Sequence, residues 1–158
     1  MALAALLDTA TREGFLSSLI DPADAFAPTD WTEDQLRRLL WIRGGTVELA
    51  LKAADFLLRD GNLSLLVMDL QIVPLRQLRR IPASTWHRFH RIIEGTAIIF
   101  ALLTPHPMVE GVTVRMALQT QATLASLQVS RHTLTAQLAG QVFERGQVSD
   151  FGLLEKSA

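Results

Sequence analysis

Four short apolar runs divide the first two thirds of the chain, at residues 15–20, 39–42, 63–70 and 97–103, and each is bounded by Gly, Pro, Asp or Asn. Stretches such as Leu65-Leu66-Val67-Met68 are apolar at every position, whereas a strand with one wet face alternates. Continuous hydrophobicity of this length predicts strands covered on both faces, as in a parallel sheet flanked by helices. A fifth run, residues 112–118, alternates in part with polar residues and predicts an edge strand.

Between these runs the period changes to that of a helix. Val47, Leu51, Ala54 and Leu58 recur at three and four residues, and Gly61 stands where a C-terminal cap falls, so residues 46–59 predict a helix. Thr32-Glu33-Asp34-Gln35 has the spacing of a capping box and predicts a short helix through Leu39. Residues 74–81 and 82–94 read as one broken helix or two, because proline fits a helix only near its start. Strands alternating with helices of this size give right-handed βαβ units, so the fold class is α/β. After residue 119 the chain is rich in Thr, Gln and Ser and carries Gly140, Gly146 and Gly152. Here the pattern predicts a short helix over residues 132–138, weak strand character at 141–144 and a mobile or lightly packed tail beyond Gly146. The expected organisation is a core over residues 1–119 and a partly mobile C-terminal extension over 120–158.

A chain of 158 residues, 49% hydrophobic and 20% charged, is sized for one domain with a real core. A formal charge of -1 argues against whole-protein attraction to nucleic acid, so any basic site has to be local. The lack of cysteine removes disulfides, thiolate metal sites and cysteine nucleophiles. The longest apolar run, 97–103, is far short of the roughly 18–20 residues that span a bilayer. The apolar start is interrupted by Asp8 and lacks the basic region of a secretory signal. A cytoplasmic protein without membrane association is expected.

The clearest local charge is Arg76, Arg79, Arg80, Arg88 and Arg91, joined by His87 and His90, with no carboxylate between Asp69 and Glu94. Spacings of three and four place Arg76, Arg79 and Arg80 near one another on a helix, and likewise Arg88 and Arg91. Arginine suits bidentate recognition of phosphate or carboxylate. Two readings stay open: a surface for DNA or an acidic partner, and an ordinary solvated helix face. His87, His90 and His106 are metal-ligand types, but no carboxylate accompanies them locally and a polar stripe fits better. Trp86 and Phe89 offer base stacking, although their spacing with Ile92 and Ile93 favours core packing. Ser17, Ser18, Asp21, Asp24 and the histidines are the residue types of a hydrolytic triad, without a nucleophile-elbow pattern. No cofactor, metal or catalysis is expected.

In order and spacing these segments resemble the RecA-like superfamily. Residues 1–28 resemble the part that follows a Walker A loop: a helix ending Ala10-Thr11-Arg12-Glu13-Gly14, a strand ending Leu19-Ile20-Asp21, and the turn Asp21-Pro22-Ala23-Asp24-Ala25-Phe26-Ala27-Pro28. Leu65-Leu66-Val67-Met68-Asp69 resembles a Walker B strand, its carboxylate at the sheet edge where ligands bind. Leu39-Leu40-Trp41-Ile42-Arg43, Ala53-Ala54-Asp55-Phe56-Leu57-Leu58-Arg59-Asp60-Gly61-Asn62 and Leu78-Arg79-Arg80-Ile81-Pro82-Ala83-Ser84-Thr85-Trp86-His87-Arg88 resemble the ImuA family of bacterial SOS mutagenesis. The resemblance covers about residues 1–119 and implies a RecA-like three-layer domain, its mainly parallel sheet flanked by helices.

The departures from that family shape the expected function. A P-loop needs a Gly-rich turn whose N–H groups hold phosphates, with a Lys and a Ser or Thr for charge and magnesium. No such sequence occurs; its place lies just ahead of Met1, so the expectation is either a natural loss or a truncation. Ala23 stands where RecA-type ATPases carry a water-activating glutamate, and Thr104-Pro105 replaces the polar sensor. Pro105 and Pro107 stiffen what in RecA is a longer DNA-binding loop, and Glu110 adds negative charge. The resemblance therefore implies a non-catalytic SOS adaptor that supports error-prone translesion synthesis by binding an ImuB-type polymerase-like protein, RecA or both. Asp69 becomes a degenerate Walker B residue with a structural role. Arg76, Arg79, Arg80, Arg88 and Arg91, or the C-terminal segment, are the candidate surface, with weak DNA binding as a further option. Two alternatives remain: a SulA-like division inhibitor binding FtsZ, to which Arg59-Asp60-Gly61-Asn62-Leu63-Ser64 is also similar, and an inactive remainder of a RecA-like ATPase.

Overall fold

The computed structural model describes residues 2–119 and the backbone of residues 139–144 and 147–151. In chain order the elements are α1 (Ala2–Arg12), β1 (Ser17–Asp21), α2 (Glu33–Arg37), β2 (Leu39–Arg43), α3 (Val47–Asp60), β3 (Leu65–Asp69), α4 (Leu75–Leu78), α5 (Ala83–Ile93), β4 (Ile99–Leu103), β5 (Val114–Gln119), β6 (Ala139–Glu144) and β7 (Gln147–Phe151). They fall into two compact units, residues 7–110 and residues 1–6 with 111–158.

In the first unit the four apolar runs become four parallel strands in the order β2-β1-β3-β4. The chain is α/β, with a parallel sheet flanked by helices. Leu19 lies between Trp41 and Val67 in the register, and Val67 lies beside Ala101. Both interior strands are buried along almost their whole length, whereas the edge strands β2 and β4 are half-exposed. Ile20, Leu66 and Met68 join Ala54, Leu58, Leu78 and Phe89 in the core formed with α3, α4 and α5. Leu19, Leu65 and Val67 are one position out of phase and point to the other face. Together with Leu7 and Ala10 of α1 they are the buried apolar residues of this unit that lie outside that core. Two covered faces explain why β1 and β3 show no polar alternation.

Helix ends follow their capping chemistry. The Thr46 side chain accepts the Leu49 N–H at the start of α3, and Gly61 closes the helix at φ 75, a left-handed conformation that glycine adopts without a Cβ clash. The capping box of Thr32 and Gln35 forms as expected. The helix behind it stops at Arg37 and does not run through Leu39, because the Ser17 N–H takes the Arg38 carbonyl and Leu39 enters the sheet beside β1. Residues 74–94 resolve into two helices, with α4 only four residues long and Pro82 at the N-cap of α5.

The second unit departs from expectation. β5 does not extend the parallel sheet; it pairs antiparallel with β6, and β6 with β7, in a separate three-stranded sheet. The parallel core accordingly ends at residue 110, short of 119, because the partner of β5 lies at 139–144. The weak strand signal at 141–144 corresponds to β6. Part of the tail expected to be lightly packed forms β7, which pairs with β6 from Glu144↔Gln147 to Gly140↔Phe151. The helix expected over 132–138 lies outside the described residues. Among the described residues no helix is long and apolar enough to cross a membrane.

Val67 is fully buried on an interior strand. Val67→Asp places an unpaired carboxylate there, at a cost of about 3–5 kcal/mol, comparable with the whole stability of a typical domain. Urea titration is expected to show a midpoint far below the parent's; a midpoint equal to the parent's would contradict the strand order.

Candidate functional site

The chain leaves β1 for β2 on one side and β3 for β4 on the other, so the sheet switches direction between β1 and β3. In open α/β sheets, ligands bind outside the C-terminal ends of the strands at such a switch. Asp21 and Asp69 end these two strands. Asp21 is only 2% exposed, and its two oxygens accept the N–H groups of Ala25 at 3.0 Å and Phe26 at 2.9 Å. Its carbonyl accepts the Gly44 N–H at 2.8 Å, tying the loop after β1 to the loop after β2. Asp69 accepts the Gln71 backbone N–H at 3.0 Å and the Gln71 side-chain amide at 3.2 and 3.3 Å. Beside them the Thr104 hydroxyl donates to the His106 carbonyl at 2.9 Å. Each of these polar groups is thus satisfied by its own loop. Ser17 and Ser18 are buried within β1, and the Ser18 hydroxyl donates to the Leu40 carbonyl at 3.0 Å, so neither is presented as a nucleophile.

The loop after β1 is fixed by a second arrangement. Asp24 sits at φ 53, in the left-handed region, which disfavours most L-residues by roughly 1–2 kcal/mol. Arg43 grips its carboxylate at both oxygens, 2.9 Å each, and the guanidinium lies 4.6 Å from the centre of the Trp41 ring. Phe26 stacks against Trp31 and Trp41 with ring centres 5.2 Å away in both cases. The Arg43 hydrogen bond holds the Asp24 carboxyl below its ordinary value, while partial desolvation acts the other way. This pair, nineteen residues apart, leaves no trace in local spacing.

The arginines are exposed, and of the five Arg79, Arg88 and Arg91 line the two recesses described next. A groove of about 1020 Å³ runs between α3 and α5, with Arg59, Ser84, His87, Arg88 and Arg91 over Leu58, Leu63 and Ile92. Positions 84, 87, 88 and 91 share one face of α5. Arg88 and Arg59 both reach Asp55, at 3.0 and 2.9 Å, which links α3 to α5. Asp55 was not visible as a site residue, although its four-residue spacing to Arg59 signals that half of the network. A smaller cavity of about 450 Å³ holds Arg79, His87, His106 and Glu110 over Leu78 and Trp86. Arg76 lines neither. Glu48, in the first turn of α3, is held below the ordinary carboxylate range first by its own backbone N–H, then by the Thr46 hydroxyl, with a smaller effect from the charge of Arg80. Among the described residues, Arg76, Arg79, Arg80 and Arg91 make no ion pair.

Trp86 and Phe89 belong to the core, stacked edge-to-face at 6.1 Å, so their rings are not presented for base stacking. His87 and His106 share the smaller cavity while His90 lines neither recess. Among the described residues no group of three or more His, Cys, Asp or Glu is placed to hold a metal ion. No protein-family model and no curated protein matches the chain.

The Asp24–Arg43 pair has a defined pH signature. Because the folded-state value of Asp24 lies below its ordinary 3.8, the pair's contribution is fully present above that pH and is lost as the pH falls through the folded value. An NMR titration of the Asp24 carboxyl is expected to give a midpoint below 3.8 in the parent, rising toward it in Arg43→Gln. Equal midpoints in the two proteins would show that the bidentate contact does not persist in solution.

Proposed function

We propose that the chain is a non-catalytic RecA-like adaptor of the bacterial SOS response, similar to ImuA, that supports error-prone translesion synthesis by binding an ImuB-type polymerase-like protein, RecA or both. The observation that carries this reading is the division of labour among its charged groups. The carboxylates at the switch point are bound to their own loops, whereas α5 turns Arg88 and Arg91 toward an open groove with Arg59 on its other wall. A parallel sheet with an interior strand ending in Asp69 supports the RecA-like part of the reading.

A protein partner with an acidic face fits the groove better than single-stranded DNA does. Two of its three arginines are already half neutralised by Asp55, and Leu58, Leu63 and Ile92 offer apolar contact. Trp86 and Phe89, the aromatic residues of α5, are buried, so α5 offers no stacking platform of the kind that nonspecific single-strand binders use.

The test replaces Arg91 with Glu and leaves Arg88 in place, since a carboxylate there would face Asp55. The variant is expected to keep its circular-dichroism spectrum and melting temperature while losing capture of the ImuB-type protein or RecA by at least about tenfold, roughly 1.4 kcal/mol. Residual DNA binding should fall steeply with salt through counterion release. Unchanged capture of both proteins would reduce the arginines to a solvated face; capture of FtsZ alone would move the chain to the SulA-like reading. ATP turnover is expected to equal buffer with and without single-stranded DNA, and Asp69→Ala is expected to lower stability by about 1 kcal/mol without altering any nucleotide response. Turnover above buffer that disappears in Asp69→Ala would overturn the non-catalytic assignment.

A further inference from the structure

The two edges of the parallel sheet are unlike. β2 carries Arg43, held by Asp24, and is preceded by Arg38. β4 is Ile99-Phe100-Ala101-Leu102-Leu103 and has none of the charges or prolines by which edge strands are kept from pairing. Its main-chain geometry is set on one side only. The Ile99 N–H is bonded to the Ser64 carbonyl, and the Leu103 carbonyl accepts the Leu70 N–H. Residues 99, 101 and 103 therefore aim their peptide groups at β3, and by the period of two, Phe100 and Leu102 aim theirs outward. Among the described residues no strand pairs with that outer edge. The side chains of Phe100 and Leu102 pack on the core beneath α5, with Phe100 edge-on to Phe89 at 5.6 Å, while Ile99 on the opposite face is 55% exposed.

We propose that β4 is the docking edge for a second copy of this chain, the two β4 strands pairing antiparallel about a twofold axis through Ala101. The sequence is self-complementary in that register. Phe100 faces Leu102 of the second copy, and because both aim their peptide groups outward, they exchange two N–H···O=C bonds; the twofold axis repeats the pair. Ala101 faces its own copy in a non-hydrogen-bonded pair, the closer of the two spacings at about 4.5 Å between Cα atoms, where a methyl group fits and a larger side chain crowds. Ile99 faces Leu103. All of these cross-strand pairs are apolar, so no like charges meet. The same pairing at β2 would bring Arg43 into the edge and disturb its grip on Asp24. The product is one continuous eight-stranded sheet, with α5 of both copies on the same face. This inference rests on the backbone of β4 and not on the arginines, although Thr96, Ala97 and Ile98 just ahead of β4 also line the arginine groove.

The test follows the mass of the full chain by sedimentation velocity over a dilution series. The parent is expected to be a dimer that dissociates on dilution. Ile99→Lys, at an exposed position that the monomer tolerates, is expected to raise the dissociation constant at least tenfold without changing the melting temperature of the dilute protein. Leu103→Glu is expected to weaken the dimer similarly. Combining the two places a lysine opposite a glutamate twice across the axis and is expected to restore association. A parent that stays monomeric at every concentration, or a dimer indifferent to Ile99→Lys, overturns the proposal. A combined variant that associates no better than Ile99→Lys alone overturns the register through Ala101, and with it the proposal.

Discussion

The pairing of β1 with β3 is the contact on which the rest of residues 7–110 depends. Both strands are interior and covered on both faces, so every polar atom they bring inside has to find a partner within the protein. Leaving one unmade costs about 1–3 kcal/mol. Asp21 is the most demanding of these groups, being a carboxylate at 2% exposure. Its requirement is met by folding the following loop back so that Ala25 and Phe26 donate to it. That fold in turn places Asp24 in a left-handed conformation beside Arg43, and Phe26 between Trp31 and Trp41. One buried carboxylate thereby organises the whole C-terminal edge of β1 and β2.

This organisation decides where recognition chemistry is left available. At the switch point, where open α/β sheets bind ligands, both carboxylates accept hydrogen bonds from their own loops. On α5 the balance is reversed. Its inner face is anchored by Trp86 and Phe89, its Arg88 is tied through Asp55 to α3, and the remaining cations are directed outward. Asp55 therefore stiffens the two walls of the groove against each other, and Arg91, which has no ion pair among the described residues, retains its full field.

Much of the parallel sheet was legible because its physics is local to each strand. Leu65-Leu66-Val67-Met68 shows burial on both faces without any knowledge of its neighbours, and Thr46 and Gly61 mark the ends of α3 by capping alone. The boundary at residue 110 was not legible, since β5 looks like an edge strand whichever sheet it joins; its partner, β6, is twenty residues further on and carries only Val142 and Phe143 as strong strand formers. The site was legible in part for the same reason. Spacing on a helix placed Arg88 and Arg91 on one face of α5, but that Arg79 lines a different recess depends on the break at Pro82 and on where α4 lies. Contacts between distant segments, Asp24 with Arg43 and Asp55 with Arg88, have no signature in either segment alone.

The central claim, that the switch-point carboxylates are closed structural groups and not an open ligand site, can be read residue by residue from amide hydrogen exchange on the full chain with and without magnesium and ATP. The account predicts that the amides of Ala25 and Phe26, bonded to buried Asp21, exchange slowly in the free protein and, with that of Gln71, do not change when nucleotide is added. Exchange at these amides that slows on adding nucleotide would contradict it.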